Sequence, residues 1–279
     1  MEGVNQIYKY PVVLSIAGSD CSGGAGVQAD TKAISALGGY AATAITAITV
    51  QNTCGVSAIW PVPSDLVEGQ IRAVMNDLHP VVVKIGMVVD VDIARTVAHC
   101  LRGYTGIVVY DPVMVSTSGH TLLEENAINI IKEELFPLCT LITPNLPEAQ
   151  VLTGRHIDSL SDMYRAMEDL RRWGDYAVLL KGGHIRGGEM LTDLLLMPEM
   201  KEAVAFETPR IDSQNTHGTG CTLSSAIAAL CAQGMPLTEA VFSAKNYVFE
   251  CIRQGADVII GEGHGPLNHF WEPKKMKKY

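Results

Sequence analysis

Short apolar runs, each followed by a helical pattern, constrain this chain more than any other feature. Runs at 12–17, 41–50, 81–85, 107–110, 140–143 and 176–180 are dominated by Val, Ile, Leu, Ala and Thr. Such runs suit strands buried on both faces. Between them the apolar spacing becomes helical. One helix follows Asp30 and stops near Gly38-Gly39. The next carries Leu66, Val67, Ile71, Val74 and Met75, with Ser64 as its N-cap, and others cover 91–102 and 122–135. At 160–173, Leu160, Met163, Met167, Leu170 and Trp173 share one stripe. Residues 190–196 and 203–207 read as a hairpin pair, and helices at 222–233 and 237–253 follow. This alternation predicts an α/β fold, a central mostly parallel β-sheet with helices on both faces. No linker or repeat interrupts it, so residues 1–279 are expected to form a single domain. The basic stretch Lys274–Lys278 reads as a solvated end.

Composition narrows the partners. A net charge of −9 argues against nucleic acid or an anionic membrane surface, but not against a small anion held by a local loop. No stretch approaches the roughly 20 apolar residues of a membrane span, and residues 1–11 do not resemble a signal peptide. The seven cysteines are odd in number, widely spaced and without a C-x-x-C pair, which suits free thiols and a cytoplasmic address.

In open parallel sheets the ligand lies outside the carboxyl ends of the strands. The residues that follow the strands here are Gly18 and Asp20, Gln51, Gly86 and Met87, Asp111, Asn145 and Glu148, and Lys181. Near the C-terminal helices stands His217-Gly218-Thr219-Gly220-Cys221-Thr222. A glycine turn feeding a helix aims unpaired N–H groups at one point, where the helix dipole favours an anion. Other phosphate sites fail. Gly24-x-Gly26-x-x-Ala29 looks like a dinucleotide fingerprint, but no acid lies between Asp30 and Asp65 to hold a ribose. There is no G-x-x-x-x-G-K-[ST], H-E-x-x-H or G-x-S-x-G.

Several of these residues carry two readings. Asp111 and Glu148 can hold Mg²⁺, which is usually bound through one or two carboxylates plus water and phosphate. Asn145-x-x-Glu148 with Pro147 is equally a helix capping box, and the two roles are compatible. Lys181 can pair with a phosphate or simply leave the core at a strand end. Cys221, at a helix N-terminus, is expected to have a lowered pKa, or else to be a small residue packing the first turn. With His217 four residues before it, a Cys/His hydrolase or thiol transferase has to be considered.

The ordered set of motifs resembles the hydroxymethylpyrimidine/phosphomethylpyrimidine kinases, close relatives of pyridoxal kinases in the ribokinase-like superfamily. It spans roughly residues 12–270, through Ala17-Gly-Ser-Asp-Cys-Ser-Gly-Gly-Ala-Gly-Val-Gln-Ala-Asp30, Val50-Gln-Asn-Thr53, Lys84-Ile-Gly-Met87, Asp111-Pro-Val-Met114, Ile142-Thr-Pro-Asn-Leu-Pro-Glu-Ala149, Lys181-Gly-Gly-His184, Asn215–Thr222 and Gly263–His269. The resemblance implies a ribokinase-like fold that uses ATP and Mg²⁺ to phosphorylate 4-amino-5-hydroxymethyl-2-methylpyrimidine, and then its monophosphate, for thiamine synthesis. By the same resemblance Gly218, Thr219 and Gly220 form the anion hole, and Cys221 stands where ribokinase-type sugar kinases carry an aspartate base. Asp111 and Glu148 belong to the metal and phosphate network, and Asn145 and Lys181 contact the nucleotide. Gly18, Asp20, Gln51 and Met87 line the substrate pocket, where Asp20 and Gln51 can bond the ring nitrogen and amine. A small-molecule substrate and a homodimer are expected. A pyridoxal or pyridoxine kinase is the nearest alternative, the Cys/His hydrolase a more distant one, and a non-catalytic binding protein the last.

Overall fold

The computed structural model describes residues 7–114, 123–124, 126–183 and 189–279. Nine strands form one sheet: β1 (Val12–Asp20), β2 (Tyr40–Asn52), β3 (Gly55–Pro61), β4 (Val82–Ile85), β5 (Ile107–Tyr110), β6 (Leu141–Ile142), β7 (Ala177–Leu180), β8 (Met190–Leu196) and β9 (Val204–Pro209). Their order is β3-β2-β1-β4-β5-β6-β7-β8-β9. The strands from β2 to β7 pair in parallel, while β3 and the β8–β9 pair add antiparallel edges.

The apolar runs explain the layering. Successive residues of a strand face opposite sides, and on one face Leu14, Ile16, Val83, Ile85, Val108, Tyr110, Val178 and Leu180 join one core. Against them pack helices α2 (Ser64–Leu78), α3 (Val91–Leu101), α5 (Leu146–Thr153) and α6 (Leu160–Leu170), with a short α4 (Ala127–Ile130) between α3 and α5 in sequence. On the other face Val13, Val82, Val109, Leu141, Ala177 and Leu179 meet α1 (Gly26–Ala36), α7 (Thr219–Ala232) and α8 (Leu237–Arg253). Helix α7 is buried from Thr222 to Cys231, as a helix apolar all round must be.

Local departures have physical causes. Strand β3 was not anticipated; Asn52 Oδ1 accepts from the N–H groups of Cys54 and Gly55 and so turns the chain into an edge hairpin. Pro63, not Ser64, occupies the N-cap of α2, and no side chain caps it. Helix α7 begins at Thr219, three residues before the expected start, because Gly218 takes the left-handed conformation there. The stripe at 160–173 is shorter than its pattern: Met163, Met167 and Leu170 are buried, whereas Leu160 and Trp173 are exposed. In place of one helix at 122–135, α4 is followed by a wider turn over 131–135; residues 122 and 125, like His184, lie outside the described residues. The basic tail keeps its lysine side chains exposed, as expected, but its backbone is docked: Lys274 and Lys277 N–H groups donate to the carbonyls of Ala36 and Gly38, and Tyr279 pairs with Lys9.

A buried charge cluster ties four elements together. Lys84 on β4 is 0% exposed, and its ammonium donates to both oxygens of Asp30 on α1 at 2.9 Å. Ser15 of β1 and Ser225 of α7 donate to the same carboxylate at 2.5 and 2.7 Å. Removing one partner leaves the other charge unpaired in the core. Lys84→Met is therefore expected to cost about 3–5 kcal/mol of stability, measured by urea unfolding; an unchanged midpoint would show that the pair does not hold these elements together.

Candidate active site

At the carboxyl ends of the parallel strands lies a cavity of about 840 Å³. Gly18, Asp20, Gln51, Met87, Asp111, Asn145, Glu148, Lys181 and the Gly218–Cys221 turn all line it. Residues as far apart in sequence as Gly18 and Cys221 thus meet because each follows a neighbouring strand or opens a helix there.

The anion end is built from the first turn of α7. Gly218 has φ of +81°, and a Cβ there would stand 1.9 Å from the Gly24 carbonyl oxygen. Only glycine meets both demands. Thr219 N–H turns back to Thr216 O, and Thr222 N–H starts the helical ladder at Gly218 O. That leaves the N–H groups of Gly220 and Cys221 as first-turn donors for a ligand. A Cβ on Gly220 would lie 3.2 Å from Asp111 Oδ2 and 3.3 Å from Lys181 Nζ. The helix mouth therefore opens directly onto an ion pair, in which Lys181 Nζ donates to Asp111 Oδ1 at 2.8 Å and Thr143 Oγ1 to the same oxygen at 3.0 Å.

Beside that pair, Asn145 and Glu148 form the capping box of α5: Asn145 Oδ1 accepts from Glu148 N–H at 2.9 Å, and Glu148 Oε2 from Asn145 N–H at 2.7 Å. Burial pushes the Glu148 carboxyl up to about 7, Lys181 opposes this, and the Asp111 charge reinforces it. Among the described residues no group of three or more His, Cys, Asp and Glu side chains could hold a metal. Two buried carboxylates, with Asp111 Oδ2 turned to the helix mouth, match a hard cation that takes its remaining ligands from water and phosphate.

Cys221 departs from expectation. Burial pushes its thiol up to about 11; Lys84 pulls the other way, while Asp30 and Asp111 add to the rise. On that balance the group is a thiol at neutral pH. The Cys/His pair is not assembled either: His217 Nε2 contacts Asp20 and Gln51, and no hydrogen bond joins it to Cys221 among the described residues.

The opposite end is shaped by Gly18, Asp20, Gln51 and Met87. Asp20 lines the cavity, but its carboxylate is already consumed. Oδ1 accepts from the N–H and hydroxyl of Ser22, and Oδ2 from the N–H groups of Gly24 and Ala25 and from His217. Asp20 therefore shapes the 20–25 loop, and the expected bond to a substrate ring falls to Gln51. Met87 forms the apolar wall over Gly18, where a Cβ would be 2.3 Å from its Cε. Sequence reasoning missed Thr49 and the buried Lys245–Asp193 pair, whose carboxylate also takes Gly182 N–H at 2.8 Å. An acid inside the apolar run of β8 was the available signal for Asp193; Lys245 had none.

Unpaired helix N–H groups, a lysine and two buried carboxylates at strand ends define a site of the phosphoryl-transfer kind. The chain belongs to the phosphomethylpyrimidine kinase family, whose profile matches residues 20–268. It is 48% identical over 260 residues to the hydroxymethylpyrimidine/phosphomethylpyrimidine kinase of Rhizobium meliloti, covering 93% of this chain and 97% of that protein. The crystal structure of phosphomethylpyrimidine kinase from Clostridium difficile superposes with a TM-score of 0.76 at 42% identity, covering 86% of this chain and 99% of that one. An ADP complex of Bacillus subtilis pyridoxal kinase superposes with a TM-score of 0.85 at 33% identity, covering 94% and 98%.

The raised thiol pKa has a direct consequence. At pH 7.5 iodoacetamide is expected to label the exposed Cys21 and Cys54 well before Cys221, because the thiolate is the nucleophile. Peptide mass mapping over time reads the order; labelling of Cys221 first would restore the low-pKa thiolate.

Proposed function

We propose that this chain transfers the γ-phosphoryl group of ATP to the hydroxymethyl group of 4-amino-5-hydroxymethyl-2-methylpyrimidine. A second transfer, to the resulting monophosphate, gives the diphosphate used in thiamine biosynthesis. The observation that carries this reading is the open first turn of α7 facing the Lys181–Asp111 pair across Gly220. Membership of the family agrees with it.

The residues divide the work by charge. The Gly220 and Cys221 N–H groups receive the equatorial oxygens of the transferring phosphoryl group, with Gly218 and Thr219 shaping the turn. Lys181 and Asn145 hold the nucleotide phosphates at the ends of β7 and β6. Asp111 and Glu148 would hold Mg²⁺, which would supply positive charge to the phosphates when bound. Gln51 faces the pyrimidine ring, and Gly18 and Met87 pack against it. Cys221 is positioned to accept the hydroxyl proton, and its raised pKa makes that base scarce at neutral pH.

Turnover of both pyrimidines with ATP is the primary test, and no turnover of either defeats the reading. The pyridoxal kinase alternative is kept because of the high structural similarity to the Bacillus subtilis enzyme; a higher kcat/KM for pyridoxine than for the hydroxymethylpyrimidine would select it.

A base is needed only when the acceptor oxygen carries a proton that must leave. The phosphate acceptor of the second step is already ionised. Cys221→Ala is therefore expected to lower kcat for the hydroxymethyl acceptor by about 10²–10⁴, with far less effect on the monophosphate and on the KM for ATP. For the first step kcat/KM in the wild type is expected to climb with pH toward the thiol pKa, because deprotonation supplies the base. Equal losses in both steps, or no slope, would remove Cys221 from that role.

A further inference from the structure

The contacts around His217 are too many for its protons. Nε2 stands 2.8 Å from Asp20 Oδ2 and 3.1 Å from Gln51 Nε2, while Gln51 Oε1 stands 3.1 Å from Thr49 Oγ1. Burial alone would raise the Asp20 carboxyl, but hydrogen bonds from His217, Ser22 and Ala25 outweigh it and hold the group ionised, well below the usual range. An ionised oxygen at 2.8 Å requires a proton on His217 Nε2. A protonated Nε2 cannot accept from a Gln51 N–H group. The Thr49 contact fails in the same way. The hydroxyl has one proton, Ser19 O takes it at 2.9 Å, and Oε1 would then face a bare oxygen.

Both conflicts disappear together if the Gln51 carboxamide is turned over by 180°, which exchanges two atoms of nearly equal size. Oε1 then accepts the His217 Nε2 proton that Asp20 shares, and Nε2 donates to Thr49 Oγ1. We infer that His217 is a positioning residue that fixes the direction of the Gln51 amide and thereby selects which edge of a heteroaromatic ring the enzyme accepts.

The inference rests on the pyrimidine kinase reading and adds a ring orientation to it. After the two internal bonds, Gln51 has one acceptor site left on the His217 side and one N–H left on the Thr49 side. That pair matches an amino group beside a ring nitrogen, as a carboxamide does when it reads adenine. In 4-amino-5-hydroxymethyl-2-methylpyrimidine the amino group lies between the ring nitrogen and the carbon bearing the hydroxymethyl group. Placing the amine on the His217 side puts the hydroxymethyl arm toward Gly218–Cys221, next in sequence after His217. The opposite amide direction would turn that arm away. Proton counting at His217 and Thr49 and the need to present the hydroxyl to the Gly218–Cys221 turn thus favour the same orientation.

The ring position of His217 is itself constrained. A Cβ on Gly24 would lie 2.3 Å from His217 Cδ2, so only glycine at that position of the 20–25 loop leaves room for the edge of the imidazole.

The test compares the 4-amino substrate with its 4-oxo analogue, which presents an N–H and a carbonyl in the reversed order. Wild type is expected to favour the amino compound by about 10- to 100-fold in kcat/KM, the size of one bidentate pair. His217→Leu removes the His217 half of the lock and leaves only the Thr49 contact, so the ratio is expected to fall several-fold. His217→Gln keeps an N–H donor and is expected to retain most of the preference. The ratio is independent of how much of each variant is folded, because both substrates meet the same preparation. A wild-type ratio near one, or an unchanged ratio in His217→Leu, overturns the proposal. If His217→Leu yields no active protein, ¹⁵N NMR of the wild-type imidazole decides: a proton on Nε2 supports the lock, and a bare Nε2 overturns it. Failure of wild type to phosphorylate either pyrimidine would instead count against the kinase reading.

Discussion

Nothing larger than hydrogen fits between Gly218 and the carbonyl of Gly24, and the geometry of the site follows from that approach. It seats the first turn of α7 against the loop that follows β1, so the donors of the anion hole and the substrate loop move as one body. Below the turn, Ser225 ties the same helix to Asp30, and Asp30 to Lys84 and Ser15. One end of α7 is held by a close backbone contact and its next turn by a fully buried ion pair. Preorganised donors are effective in catalysis because they need not reorient as charge develops. Here the rigidity comes from two contacts that tolerate no slack.

The two ends of the cavity solve different electrostatic problems. At the anion end, Asp111 and Glu148 crowd two carboxyl groups beside one lysine, and the burial that would neutralise Glu148 pushes it up to about 7. At the ring end the charge on Asp20 is satisfied by five donors from Ser22, Gly24, Ala25 and His217. A ligand there meets Met87, Gly18 and the Gln51 amide. A neutral heterocycle suits that end and a phosphate does not.

Much of this was legible before any coordinates. Apolar runs at 12–17, 81–85, 107–110 and 176–180 locate four parallel strands, and the polar residues after them line one cavity because strand order brings their carboxyl ends together. What failed was whatever depended on burial or on partners far along the chain. Cys221 looked acidic because helix position is visible in sequence, whereas the desolvation that raises its thiol is not. Asp20 looked free because Ser22, Gly24 and Ala25 donate through backbone N–H groups that no residue pattern reveals. Strand β3 was missed although Asn52 and Gly55 mark its turn, since Trp60, 77% exposed at the sheet edge, breaks the pattern of a buried strand.

His217 joins these lessons at one point. In sequence it is only the residue before a glycine loop, and its nearest nucleophile suggests a hydrolase. In the fold, its Nε2 is claimed by a carboxylate 197 positions away and an amide 166 positions away. Because the same residue begins the anion-hole turn, any displacement of the substrate loop reaches the phosphoryl donors through a single peptide. In the proposed mechanism this residue therefore couples ring recognition to phosphoryl positioning. A ring held the wrong way round by Gln51 presents no hydroxyl to Gly220 and Cys221, so the hydrogen bonds that read the heterocycle also decide whether an acceptor oxygen reaches the helix mouth.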